Sequence, residues 1–490
     1  MRNLVAATIA LGLALVGTPA LAGGIAVARF GGEHGYAATD NPTAIYYNPA
    51  GLAFGAGHRI MVEGLLAIRS YTYNRPESAI SADNPSDISI AANSGENTLS
   101  NVIASPFIGF ATDLGLDIPL SIGGGFYAPF GGASVWDEAD PVDGAPGAVD
   151  GTQRWYNIDG SIRTLYGTLG VAYQIEPIRL AIGLTGNLAI SSIDSLRARN
   201  SDGSDDLVDS QGRLKEGRSW LRAESIDFAI GAGLMWEPIE DTLWFGVSYQ
   251  SQPGFGENEL EGTLDNLLGV ASASQTDIVI TQTLPDIIRW AFRFRPSEMW
   301  ELRLFGDYQR WSTYEQQCIV NADNLGDIER LCEMNEDGSV ANPEAQGPSN
   351  EGVIVQNLIR RWQDTFGVRL SGSVFLLNSD LELMLGAGYD SNAVPDRSLE
   401  PALPDWDKVT ATVGARYQIL DWMAASLYGT NIFYLTRDTS GTVTADGYEL
   451  PSTQPNSSGE YTQNIFVVNL GLEFEFGQSA DDELAGDTVE

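Results

Sequence analysis

Only two histidines, His34 and His58, occur in the 490-residue chain. Neither stands in a spacing that would pair it with a serine or cysteine nucleophile, and the chain holds no HExxH, nucleophile elbow or phosphate loop. Cys318 and Cys332 have no histidine near them, which makes a poor metal site. In an oxidising compartment the two are expected to form one disulfide that ties off a polar loop. The acidic run from Asp202 to Asp206 lacks calcium-loop spacing and reads as a solvated loop. Catalytic residues, cofactors and a resident metal are therefore not expected. What remains is a set of arginines, Arg293, Arg303 and Arg369, whose planar cations could grip a carboxylate through two hydrogen bonds. Inward arginines, however, usually pair with inward acids, here Glu301, Asp307, Glu473 and Glu475, and that reading is the stronger one.

Those arginines lie in segments that alternate polar and apolar residues with period two, the mark of a strand with two unlike faces. In the stretch ending at Phe476, Phe466, Val468, Leu470, Leu472 and Phe474 share one face, and Asn469, Glu473 and Glu475 the other. Trp290, Phe292 and Phe294 oppose Arg289, Arg293 and Arg295, and the next segment repeats the pattern. Candidate strands fall near 58–72, 102–113, 118–128, 160–175, 178–195, 220–236, 242–251, 275–295, 299–313, 357–377, 380–391, 406–418, 421–437 and 462–476. They number about 14, an even count as bacterial barrels require. Their connections alternate short and long, which a β-sandwich has no reason to do. Aromatic residues gather at strand ends (Tyr71, Tyr73, Trp236, Trp300, Trp311, Tyr314, Trp422, Phe433, Tyr434), where interface girdles would place them.

The first 22 residues read as a signal peptide, so the chain is expected to leave the cytoplasm. No later segment approaches the ~20 consecutive apolar residues of a membrane helix. A formal charge of −38 repels nucleic acid and excludes it as a partner. Residues 23–57 are glycine-rich and too irregular to cross a bilayer. The fold expected is all-β: a transmembrane antiparallel barrel over 58–476 in an outer membrane, an N-terminal plug over 23–57 in its lumen, and an acidic tail over 477–490. One strand-rich region without a linker reads as one barrel, a monomer.

Several segments resemble the FadL family of outer-membrane transporters for long-chain fatty acids and other hydrophobic compounds. They are Asn48-Pro49-Ala50-Gly51 in the plug; Gly123-Gly124-Gly125 through Pro129-Phe130-Gly131; Thr283-Leu284-Pro285 through Trp311-Ser312-Thr313-Tyr314; and Trp362 through Asp407, which contains Leu403-Pro404-Asp405. The resemblance covers most of the mature chain. It implies capture of a hydrophobic molecule or fatty acid at the outer loops, an interior pocket, and sideways release through the barrel wall into outer-membrane lipid beneath the lipopolysaccharide. Glycines in mid-strand mark kinks, so Gly123, Gly124 and Gly125 are the candidates for that opening, although they could simply make room for the plug. Phe255, Leu260, Leu264, Leu267, Leu268 and Val270 in the 252–274 loop could form an amphipathic helix that captures substrate. The tail beyond Phe476 leaves an internal signal for the barrel-assembly machinery. A general diffusion porin and an outer-membrane lipid-modifying enzyme are the alternatives.

Overall fold

The computed structural model describes residues 28–115, 118–256, 258–269, 273–324, 327–342 and 353–477. The expected leader, the tail beyond Gly477 and Val270 lie outside them. Alternation along the chain becomes a closed antiparallel wall. Its first six spans are uninterrupted: β1 (His58–Arg75), β2 (Gly95–Thr112), β3 (Leu120–Val135), β4 (Asp159–Ile175), β5 (Leu180–Arg199) and β6 (Gly217–Ile239). The next four are each broken once. They are β7 (Leu243–Gln250 and Glu259–Leu267), β8 (Ser274–Thr281 and Ile287–Ser297), β9 (Trp300–Gln309 and Gln316–Asn321) and β10 (Ile354–Ile359 and Thr365–Leu376). Then follow β11 (Leu381–Asp390), β12 (Lys408–Leu420), β13 (Met423–Tyr434, with Arg437–Asp438) and β14 (Glu460–Phe476). β14 pairs with β1 from His58↔Phe476 to Asn74↔Glu460, so the fourteenth span closes the barrel.

Period two puts apolar side chains outside, where lipid would solvate them. Ile60, Val62, Leu66 and Ile68 on β1 and Phe466, Leu470 and Leu472 on β14 are exposed, while Glu63, Arg69, Asn469 and Glu473 are buried inside. This inversion of the soluble-protein rule is what a bilayer as solvent demands. The aromatic girdle is only partly as expected. Trp236, Trp300, Trp422 and Phe433 face outward, but Tyr71, Tyr73, Trp311, Tyr314 and Tyr434 are buried inward. Their strand-end positions are shared, yet side-chain parity sends them to the lumen.

Among its described residues, the 252–274 segment forms no amphipathic helix. Pro253–Gly256 is a tight turn with Gly254 and Phe255 at positive φ, after which Glu259–Leu267 and Ser274–Thr281 pair as a hairpin. It continues β7 and β8 upward and pairs on to Ile319–Asn321 of β9. The cysteine-bearing loop likewise contains strand: Gln316–Asn321 pairs with Ile354–Ile359. Cys318 and Cys332 form the expected disulfide, with their Cα atoms 6.1 Å apart.

Candidate transport path

Residues 28–57 occupy the lumen, and the wall is cut to receive them. A Cβ on Gly123 would meet Leu52 at 3.1 Å, one on Gly125 would meet Ile45 at 3.0 Å, and one on Gly170 would meet Ile45 at 2.7 Å. Gly183 faces Pro49 and Ala50 in the same way, Gly233 faces Asn48, and Gly246 faces Ala37. Inward glycines on five neighbouring strands thus form the seat of the plug. In the plug, a helical turn (Ala44–Tyr47) runs into a 3-10 segment (Pro49–Phe54) with Asn48 between them in extended conformation. Asn48 is satisfied on both sides. Its Oδ1 accepts from Ala50 N at 3.1 Å, and its Nδ2 donates to Ala37 O at 2.6 Å and to Leu234 O on β6 at 2.9 Å. Proline at the first position of the 3-10 segment has no N–H to leave unpaired.

The three arginines expected to hold a carboxylate are already taken. Arg293 pairs with the plug's Asp40 at 3.0 Å and with Glu301 at 3.1 Å. Arg303 pairs with Glu301 at 2.6 Å and with Glu382 at 2.9 Å, and Glu382 in turn meets His34 of the plug at 2.9 Å. Arg369 pairs with Asp307 at 3.1 Å and Asp390 at 2.5 Å. Arg293 fastens the plug to the wall directly, whereas Arg303 and Arg369 hold wall carboxylates that in turn meet His34 and Arg29 of the plug. His34, through its contact with Glu382, ties the plug to β11.

The wall is interrupted next to Gly123-Gly124-Gly125, not at them. Those glycines pair in register with Ala111, Phe110 and Gly109 of β2 and with Gly170, Leu169 and Thr168 of β4. Pairing of β2 with β3 ends at Phe107↔Tyr127, although β2 continues to Gly95 and β3 to Val135. One extra β3 residue between Tyr127 and Phe130 breaks the β4 register as well. From Tyr127 to Ser134 every residue is buried, so alternation is lost and this stretch bends into the barrel. Phe130 reaches Trp311 in the break of β9, with ring centroids 6.5 Å apart. Pro129, which cannot donate to a ladder, followed by Gly131 and Gly132, is the local cause, a signal present in the sequence that does not say which neighbouring strand is lost.

Behind the bend lies a cavity of about 90 Å³ lined by Gly132, Ala133, Ile162, Ile193, Leu221 and Leu264 among others. The upper hairpin closes it: Leu260 and Leu264 are buried against Ile193, Leu221, Ile278 and Ile280. Of the residues expected to capture substrate, Leu264 therefore faces the cavity, while Phe255 and Leu267 are exposed and Leu268 is half-buried. Two further cations line the same cavity. Arg360 pairs with Glu400 at 2.7 Å, whereas Arg197 bonds the Gln356 amide oxygen and makes no ion pair among the described residues. A second cavity of about 90 Å³ lies between plug and wall and is bordered by Arg29, Glu33, Arg289 and Asp307.

The outer acidic run holds its own cation. Lys215 Nζ lies 2.5 Å from Asp202, 2.9 Å from Ser204 and 3.1 Å from Asp206. Although partial burial opposes it, bonding to these two carboxylates raises the ammonium above its ordinary pKa. No group of three metal-ligating side chains occurs among the described residues.

Known structures with this architecture are similar in fold at low identity. A FadL homologue from Pseudomonas aeruginosa is 14% identical, covers 94% of this chain and 100% of its own, and superposes with a TM-score of 0.70. The P. putida toluene transporter TodX is 14% identical over 90% of this chain and 95% of its own, at 0.58. The Ralstonia pickettii toluene transporter TbuX is 11% identical over 89% and 94%, at 0.57. No curated protein sequence matches. The outer membrane protein transport family (OMPP1/FadL/TodX) matches residues 4–476, and the chain belongs to it: an outer-membrane transport barrel of a Gram-negative bacterium, not an enzyme.

Proposed function

We propose that the barrel carries hydrophobic molecules across the outer membrane, taking them in under the upper β7–β8 hairpin and passing them sideways between β2 and β3 into the bilayer. The observation that carries this reading is the inward bend of Tyr127–Ser134, which removes the β2–β3 backbone ladder from the wall beside a cavity lined by apolar and charged side chains. Straight descent is blocked by the plug, and release into water would cost ~25 cal/mol for each Å² of apolar surface re-exposed. Exit into lipid avoids that cost. TodX and TbuX are described as toluene transporters, which supports a hydrophobic cargo here. Within the cavity, apolar Ile162, Ile193 and Leu221 would take the body of the cargo. Arg197, rather than Arg293, Arg303 or Arg369, is the cation placed to meet a carboxylate on a fatty acid.

Mass spectrometry of compounds co-purified with the barrel, combined with uptake of a long-chain fatty acid and of toluene by cells with and without the protein, tests the reading. Uptake of either, with near-silence in planar bilayers, is expected. A steady ion conductance with no hydrophobic uptake would establish a diffusion porin instead.

A further inference from the structure

We propose that Arg69, with Asn101 beside it, holds residues 130–134 of β3 inside the barrel in place of the backbone ladder that β2 does not supply. Arg69 would thereby be the positioning residue that sets the state of the β2–β3 gap. Its importance for transport rests on the lateral route proposed above.

Arg69 faces the lumen from β1, is fully buried, and makes no ion pair among the described residues. A buried guanidinium without a carboxylate is costly, so its hydrogen bonds have to compensate. Nε donates to Gln463 Oε1 at 2.6 Å, and the guanidinium lies 4.8 Å from the Tyr71 ring centroid. Nη1 donates to Ala133 O at 3.4 Å and Ser134 Oγ at 3.3 Å, both within the bent stretch of β3. Asn101 stands opposite Arg69 in the β1–β2 register, and its Nδ2 donates to the same Ala133 O at 3.1 Å.

The placement is specific. Continuing the register from Phe107↔Tyr127 would bring Ala133 opposite Asn101. Asn101 thus reaches with its side chain the residue that its backbone would otherwise have met. β3 cannot simply zip up, because Pro129 lacks an N–H and the stretch carries an extra residue. Two side-chain donors on one carbonyl therefore stand in for several backbone bonds. The arginine bonds are long, and Arg69 Nη2 and Asn101 Oδ1 have no hydrogen-bond partner among the described residues. The hold is therefore one that can release.

The same continued register puts Val102 opposite Gly132. Cysteines at these positions can join only if β3 moves alongside β2, to a Cα separation of roughly 4–7 Å. The native cysteines are already joined and stay out of the reaction. In outer-membrane fractions, the Val102→Cys/Gly132→Cys protein should cross-link slowly. Adding Arg69→Met or Asn101→Ala should speed cross-linking several-fold, and Arg69→Lys should fall between, with heat-modifiable gel migration confirming the barrel in each. Unchanged rates in both Arg69→Met and Asn101→Ala would overturn the proposal. If Arg69→Met does not assemble, Asn101→Ala decides alone. Uptake by the cross-linked protein reports separately on the route. Its loss supports lateral exit, whereas normal uptake would sink lateral exit and leave the positioning role of Arg69 standing.

Discussion

Replacing Asn48 by alanine should loosen the plug without unfolding the barrel. The side chain makes three hydrogen bonds in a buried setting, two within the plug and one to β6. Truncation leaves Ala50 N, Ala37 O and Leu234 O each short of that partner, and water has no easy access to replace it. A buried polar group left unpaired costs roughly 1–3 kcal/mol. With some relaxation, a total of about 3 kcal/mol is reasonable, which corresponds to about a hundredfold rise in the undocked-to-docked ratio. Asn48→Asp is the informative companion. It keeps an oxygen for Ala50 N but turns a second oxygen toward two carbonyls, so it should be worse than alanine. Planar-bilayer recordings would read the frequency of open events, with limited proteolysis of the plug and heat-modifiable migration as controls. An unchanged opening frequency in a folded Asn48→Asp barrel would refute this reasoning. It would mean that Asp40–Arg293, His34–Glu382 and the glycine seat hold the plug without Asn48.

Deletion of residues from Gly24 to Thr39 removes Arg29, Glu33, His34 and Tyr36 from the lumen and should raise basal conductance while the barrel still forms. Equal conductance before and after would reduce this stretch to a leader for the first strand. Gly125→Val should press on Ile45 and open the lumen in the same assay, whereas an outward substitution such as Gly64→Val, with nothing within 4 Å of its Cβ, should not. Alkylation of intact cells should label no thiol before reduction. Cys318→Ser/Cys332→Ser should leave barrel migration unchanged but make residues 314–356 more sensitive to protease, because cross-linking a loop of this size is worth about 3 kcal/mol. Cleavage at the wild-type rate would show that strand pairing alone orders this loop.

A short period carries far along a barrel, which is why so much of the wall was readable from the chain alone. Two-residue alternation assigns Phe466, Leu470 and Leu472 to lipid and Asn469 and Glu473 to the lumen before any tertiary contact is known, because parity is local. Turn rhythm then sets the number of spans, and Asn48-Pro49 marks a rigid corner from its own backbone chemistry. Contacts between strands far apart in sequence could not be read this way. Shared parity makes Glu301 and Asp307 candidate partners of Arg293, Arg303 and Arg369, and they do pair with them, but nothing near these arginines says that their other partners are Asp40, Glu382 and Asp390, up to 253 residues away. The glycines at 123 and 125 looked like hinges because a missing side chain has the same local signature whether it permits a kink or admits a neighbour. Only closure of the barrel around Leu52 and Ile45 decides between the two. The break itself, one turn of sequence later at Pro129, depends on which strand β3 fails to meet. That is a property of register across the wall, and therefore of the tertiary structure.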